Sequence, residues 1–132
     1  EIRNTHNRNL RQITWQCRTK PSGLDYYPLS KPGERFPTAD PDKAPRLEPR
    51  PTDDAAFLHG ILDGLGAIEA AAYAKLTAMG APTVARIFAT GGGTKNPAWM
   101  QVRDRLLAAE LAEPVSIEAA FGTALLAKRA LA

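Results

Sequence analysis

From Phe57 onward, apolar residues recur at three- and four-residue steps: Phe57, Leu58, Ile61, Leu62, Leu65, Ile68, Ala72 and Leu76. That period predicts one long helix with a single buried face. Pro51-Thr52-Asp53-Asp54 supplies its start, with Thr52 as the expected N-cap and the two acids favourable in the first turn. Gly80 is placed to end it and Pro82 to prevent its resumption. Gly60, Gly64 and Gly66 interrupt the pattern, each at a cost of about 1 kcal/mol relative to alanine. Gly60 and Gly64 lie one helical turn apart, which predicts a groove where another backbone packs closely.

Residues 84–90, with Val84, Ile87 and Phe88, read as a buried strand. Asn96 then caps a second helix with Pro97 in its first turn, and Trp99, Val102, Leu106 and Leu107 mark its inner face. Glu113-Pro114-Val115 reads as a short strand or extended link. Ser116 is the expected cap of a last helix, with Glu118 in its first turn, running through Ala119, Ala120, Leu125 and Leu126. The order α, β, α, short β, α implies an α/β domain. Two strands alone make a poor sheet, because a parallel pair needs neighbours and covered faces.

Proline density sets residues 21–52 apart. Eight of the eleven prolines fall between Pro21 and Pro51, which excludes a long helix or a central strand there. Leu24, Tyr26, Tyr27, Leu29 and Phe36 supply apolar anchors, so the segment is expected to be extended, irregular and pinned onto a folded body.

Charge is uneven along the chain. Of a net charge of +3, the excess of cations sits in the first twenty residues, at Arg3, Arg8, Arg11, Arg18 and Lys20. Residues 1–20 have little apolar periodicity and read as a basic, disordered leader. Trp15 is the one aromatic among them, so a nucleic-acid role is the weakest of the readings considered. Cys17 has no second cysteine to pair with. No secretory signal is visible and no apolar run is read as a membrane span, so the expected location is cytoplasmic.

The candidate chemistry centres on Ala89-Thr90-Gly91-Gly92-Gly93-Thr94-Lys95-Asn96-Pro97, which leads from the strand into the second helix. Glycines there permit a sharp turn and a close approach of ligand to backbone, and the helix start suits a phosphate or a polar ligand edge. The pattern by itself leaves a ligand loop and a plain glycine turn equally open. It is neither a P-loop nor a dinucleotide fingerprint. Elsewhere, His59 and Asp63 stand one turn apart but have no further histidine near them, so they are read as packing or surface residues. Asp40 and Asp42 are read as solvated loop acids, Glu34-Arg35 as an internal ion pair, and Arg103 and Arg105 as a charged outer face.

Taken in full, residues 89–107 together with Glu118-Ala-Ala-Phe-Gly-Thr-Ala-Leu-Leu-Ala resemble the C-terminal domain of the FGGY carbohydrate kinases. Leu24-Asp-Tyr-Tyr-Pro-Leu and Lys31-Pro-Gly-Glu-Arg-Phe-Pro resemble that domain's loop before its long helix. The wording is most similar to the D-ribulose (pentulose) kinase branch over about residues 21–132, with residues 53–132 as part of the C-terminal domain. The resemblance implies an α/β, actin-like ATPase (ribonuclease H-like) fold, here mainly three helices and one or two short parallel strands. It implies transfer of the ATP γ-phosphate, with Mg²⁺, to a hydroxyl of a ketopentose such as D-ribulose. Gly91, Gly92 and Gly93 would form the adenosine-side wall, Asn96 would reach towards the adenine, and Thr90 and Lys95 would be possible further contacts.

The family's catalytic aspartate and phosphate hairpin lie upstream of the matched residues, so no catalytic or metal-ligating residue is assigned. ATP or ADP is the expected ligand, with the sugar bound only together with the N-terminal domain and activity of the chain alone not expected. A non-catalytic interaction module is the alternative reading. Oligomeric state is not readable from the sequence.

Overall fold

The structure, a computed structural model, describes residues 20–131. The basic leader, with His6, Trp15 and Cys17, therefore lies outside the described residues except for Lys20. Among the described residues the elements are α1 (Asp54–Ala78), β1 (Arg86–Phe88), a 3₁₀ turn (Gly92–Lys95), α2 (Pro97–Leu106), β2 (Glu110–Ala112) and α3 (Ala119–Ala130). The two strands pair in parallel, with Arg86 opposite Glu110, Ile87 opposite Leu111 and Phe88 opposite Ala112.

Helix α1 starts one residue later than expected. Asp53, not Thr52, is the N-cap, and its carboxylate accepts the Ala55 N–H at 3.0 Å. Its end is as the sequence implies. Gly80 adopts φ +95°, the Gly80 N–H donates to the Thr77 carbonyl and the Ala81 N–H to that of Leu76, a pairing that satisfies two carbonyls the helix leaves open.

Of the predicted face of α1 only Leu62 is fully buried, with Phe57, Ile61, Ile68 and Ala72 half-buried. Ala55, His59, Gly60, Leu62, Asp63, Gly64 and Gly66 are buried, while Leu58, Leu65 and Leu76 are 37–40% exposed. The glycines decide this, because neighbours approach most closely where there is no Cβ. A methyl group added at Gly66 would lie 2.8 Å from both Val102 Cγ1 and Leu106 Cδ1. There α1 packs on α2, around Ala55, Leu62, Ala98 and Val102, with Trp99 and Leu106 beside them.

Gly60 and Gly64 form the expected groove, and the proline-rich segment occupies it as a strap. A carbon at Gly60 would stand 2.7 Å from Leu24 Cδ1, and one at Gly64 2.6 Å from the Tyr26 carbonyl oxygen. Tyr26 is buried, its ring edge-on to Phe57 with centroids 5.8 Å apart, and its hydroxyl donates to the Pro49 carbonyl. Tyr27 and Arg46 exchange backbone hydrogen bonds at 2.8 and 3.0 Å, which ties the strap's two ends together. Among the described residues Glu34 makes no ion pair with Arg35, contrary to expectation. Its carboxylate accepts the Arg35 and Phe36 backbone N–H groups and the Tyr27 hydroxyl, so it is held below the usual carboxylate range chiefly by those two amides. Asp40 accepts the Asp42 N–H in a tight turn.

The second strand falls at Glu110–Ala112, ahead of the expected Glu113-Pro114-Val115. Pro114 has no N–H for a ladder, and the chain enters pairing as soon as α2 ends. The first strand is correspondingly three residues rather than seven. Helix α3 begins after Glu118 with no side-chain cap; Ser116 instead accepts the Glu118 N–H at 3.1 Å. Phe121, Leu125 and Leu126 are 39%, 46% and 68% exposed, and α3 packs on no other described helix or strand.

By length and composition alone α1 qualifies as a membrane span, contrary to the reading of the sequence. It carries Asp63, buried, and Glu69, half-buried, each paired with an arginine of α2, as suits a helix packed within a protein.

Candidate functional site

In open parallel sheets, ligands bind outside the carboxyl ends of the strands. Here the connections leaving β1 (residues 89–96) and β2 (residues 113–118) come together at that end, joined by a hydrogen bond from the Gly91 N–H to the Ile117 carbonyl at 2.9 Å. Between them lies an open crevice lined by Ala89, Thr94, Met100 and the run from Leu111 to Ile117. A second hollow beside it is bordered by Phe88, Thr90, Val115 and Phe121.

The glycine loop is built for exposure. Gly91 takes φ +85°, a conformation that side chains disfavour, and starts the 3₁₀ turn. The Thr94 hydroxyl donates to the Gly91 carbonyl at 2.8 Å and fixes the turn from within. A carbon at Gly92 would meet nothing within 4 Å, so a flat ring or a phosphate can lie against its backbone. Thr90, Gly91, Gly92, Gly93, Lys95 and Asn96 are all exposed on this one loop.

Asn96 has a narrower role than its type suggests. Its Oδ1 accepts the Ala98 N–H at 3.0 Å and the Trp99 N–H at 3.3 Å, capping α2. The acceptor is committed to the fold, which leaves the amide NH₂ as the group it can offer a ligand.

On the α1–α2 pair several side chains are placed otherwise than the sequence implies. Arg103 is not on an outer face: it is 8% exposed and forked onto Glu69 of α1. That fork, before any other influence, raises its already high pKa. Arg105 pairs with Asp63, whose other oxygen accepts the Ser22 N–H at 2.6 Å. His59 Nε2 lies buried 3.5 Å from Asp63 and has no hydrogen-bond partner among the described residues. Burial is the main cause that lowers the His59 pKa. The readable signal for these pairs was acids inside an otherwise apolar helix, at Asp63 and Glu69. The β2 side of the crevice carried no such signal, because it depends on which strands pair.

Of the predicted site residues only Thr90 borders either hollow; Gly91, Gly92, Gly93, Lys95 and Asn96 line neither and stand exposed on the loop beside them. Among the described residues no group of three His, Cys, Asp or Glu is arranged to hold a metal ion.

The model of the FGGY family of carbohydrate kinases, C-terminal domain, matches residues 4–131 of this sequence. The match begins within the first twenty residues, further back than the motifs that carried the resemblance.

Proposed function

This chain belongs to the FGGY family of carbohydrate kinases, as the actin-like, α/β C-terminal domain, and from that premise we propose that it forms the adenosine-side wall of an ATP site. The observation that carries the reading is the exposed glycine loop at the carboxyl end of β1, stitched by Gly91 to the connection after β2. Gly91, Gly92 and Gly93 give the nucleotide a surface without side chains, and the Asn96 amide donates to a ring acceptor. Thr90 and Lys95 flank it on the same exposed loop.

When bound, ATP supplies the phosphoryl group. The chain's own part is to orient the nucleotide by a fixed backbone surface, which is positioning rather than bond making. On the family resemblance the catalytic base and the Mg²⁺ site belong to a second body, and the chain alone is expected to be inactive. The acceptor is a ketopentose such as D-ribulose, on the similarity of the loop wording to the pentulose branch. Residues 21–52 act as the strap and 53–132 as the nucleotide-side body, in the cytoplasm.

The test is a titration of the chain with ADP, followed by heteronuclear NMR. Saturable shifts centred on Gly91 to Asn96 are expected. Asn96→Asp keeps the cap and loses the amide donor, so it should fold normally and bind ADP about tenfold more weakly, equivalent to about 1.4 kcal/mol. Asn96→Ala should in addition cost about 1 kcal/mol of stability through the lost cap. A dispersed spectrum that ADP leaves unmoved would count against the nucleotide wall and favour an interaction module.

A further inference from the structure

Beneath the glycine loop lies a largely buried ion pair, Arg103 buried and Glu69 half-buried, that no step above uses. Glu69 of α1 accepts two N–H bonds from Arg103 of α2, from Nε at 2.8 Å and from Nη2 at 2.7 Å. As a stabilising device such a pair is weak, because removing both ions from water offsets most of their attraction. Its surroundings suggest another purpose. The guanidinium carbon lies 5.7 Å from the centre of the Trp99 ring, and Nη1 lies 4.0 Å from the Met100 sulfur. Trp99 in turn backs the glycine loop: a carbon added at Gly93 would sit 3.8 Å from Trp99 Cδ1 and 3.9 Å from Nε1. Met100 lines the crevice itself. One cation, anchored on α1, thus touches both the side chain behind the loop and a side chain lining the crevice.

We infer that Glu69 and Arg103 are positioning residues for the nucleotide wall, setting the loop through Trp99 and Met100. The inference rests on reading that loop as the ATP wall. Neither residue reaches a ligand. The fork fixes the roll of α2 against α1, and a planar two-pronged contact does this where a single-point cation cannot.

Arg103→Lys keeps the charge and removes the fork. In this variant the Gly91 to Lys95 amides should shift and exchange faster without nucleotide, while the strap and the first turns of α1 keep their resonances. ADP should bind about tenfold more weakly, the effect of about 1.4 kcal/mol of lost preorganisation. Trp99→Phe retains a ring beside Arg103 and should recover most of the wild-type loop spectrum, whereas Trp99→Leu should not. This second pair carries the test if Arg103→Lys does not fold. Arg50→Gln, in the exposed part of the strap, should leave loop and affinity unchanged. If folded Arg103→Lys shows an unmoved loop and wild-type ADP affinity, the positioning role is overturned while the nucleotide reading stands. If wild-type chain ignores ADP, the nucleotide reading fails first and the inference falls with it.

Discussion

One carboxylate holds three parts of this chain together. Asp63 accepts from the Ser22 backbone in the strap, pairs with Arg105 of α2 and stands beside His59 of its own helix. Burial holds the His59 pKa below its ordinary value of 6.5, and Arg105 adds to that, against the pull of Asp63 and of the Lys20 backbone. The folded chain therefore prefers neutral His59. Between the lowered folded pKa and 6.5 the unfolded chain binds more protons, so stability falls as pH drops through that window and is complete above it. Urea midpoints should be lower at pH of about 5.5 than at about 7.5, and His59→Gln should narrow the gap. An unchanged gap would remove His59 as its source. At this scale the sequence was legible where a residue acts on its own backbone, as with Asn96 and Gly80. It misled at Arg103 and Arg105, whose partners lie 34 and 42 residues away.

Among the elements, the strap's docking is the contact most sensitive to a single atom. Gly64→Ala drives a methyl against the Tyr26 carbonyl, which cannot rotate aside as a side-chain tip would. It should cost about 1–3 kcal/mol as an overpacking change. Gly122→Ala in α3, where a methyl meets nothing within 4 Å, should instead gain up to about 1 kcal/mol of local helix stability. Chemical denaturation of both variants checks the contrast, and equal effects would contradict the groove. The spacing of Gly60 and Gly64 announced the groove, but not its occupant, since the strap has no period of its own. Helix existence was legible from the 3.6-residue period. Strand bounds were not, because a three-residue strand is defined only by what pairs with it.

At the scale of the whole molecule, order is concentrated where α1 meets α2. Val102 is the one large side chain fully buried among the described residues, while α3 leaves Phe121, Leu125 and Leu126 open. A twelve-residue helix without packing is marginal in water. Native-state hydrogen exchange should therefore find the α3 amides nearly unprotected and those at the α1–α2 contact the slowest. The chain should melt broadly, at or below about 50 °C. Protection of α3 equal to that of α1, or a sharp transition well above that temperature, would contradict this. The fold class was readable because the helix and glycine signals are local. How the faces are covered was not, because that depends on contacts between distant segments.

The strap also has a history in time. It is synthesised before the helix that receives it, and Ser22 precedes its partner Asp63 by 41 residues. Until α1 emerges, Leu24, Tyr26 and Tyr27 have no groove to enter. Sticky aromatic segments are hazardous in that interval when they can pair as strands. The eight prolines between Pro21 and Pro51 deny this segment the continuous donors such pairing needs. The same residues that keep the strap irregular once docked keep it solitary while it waits.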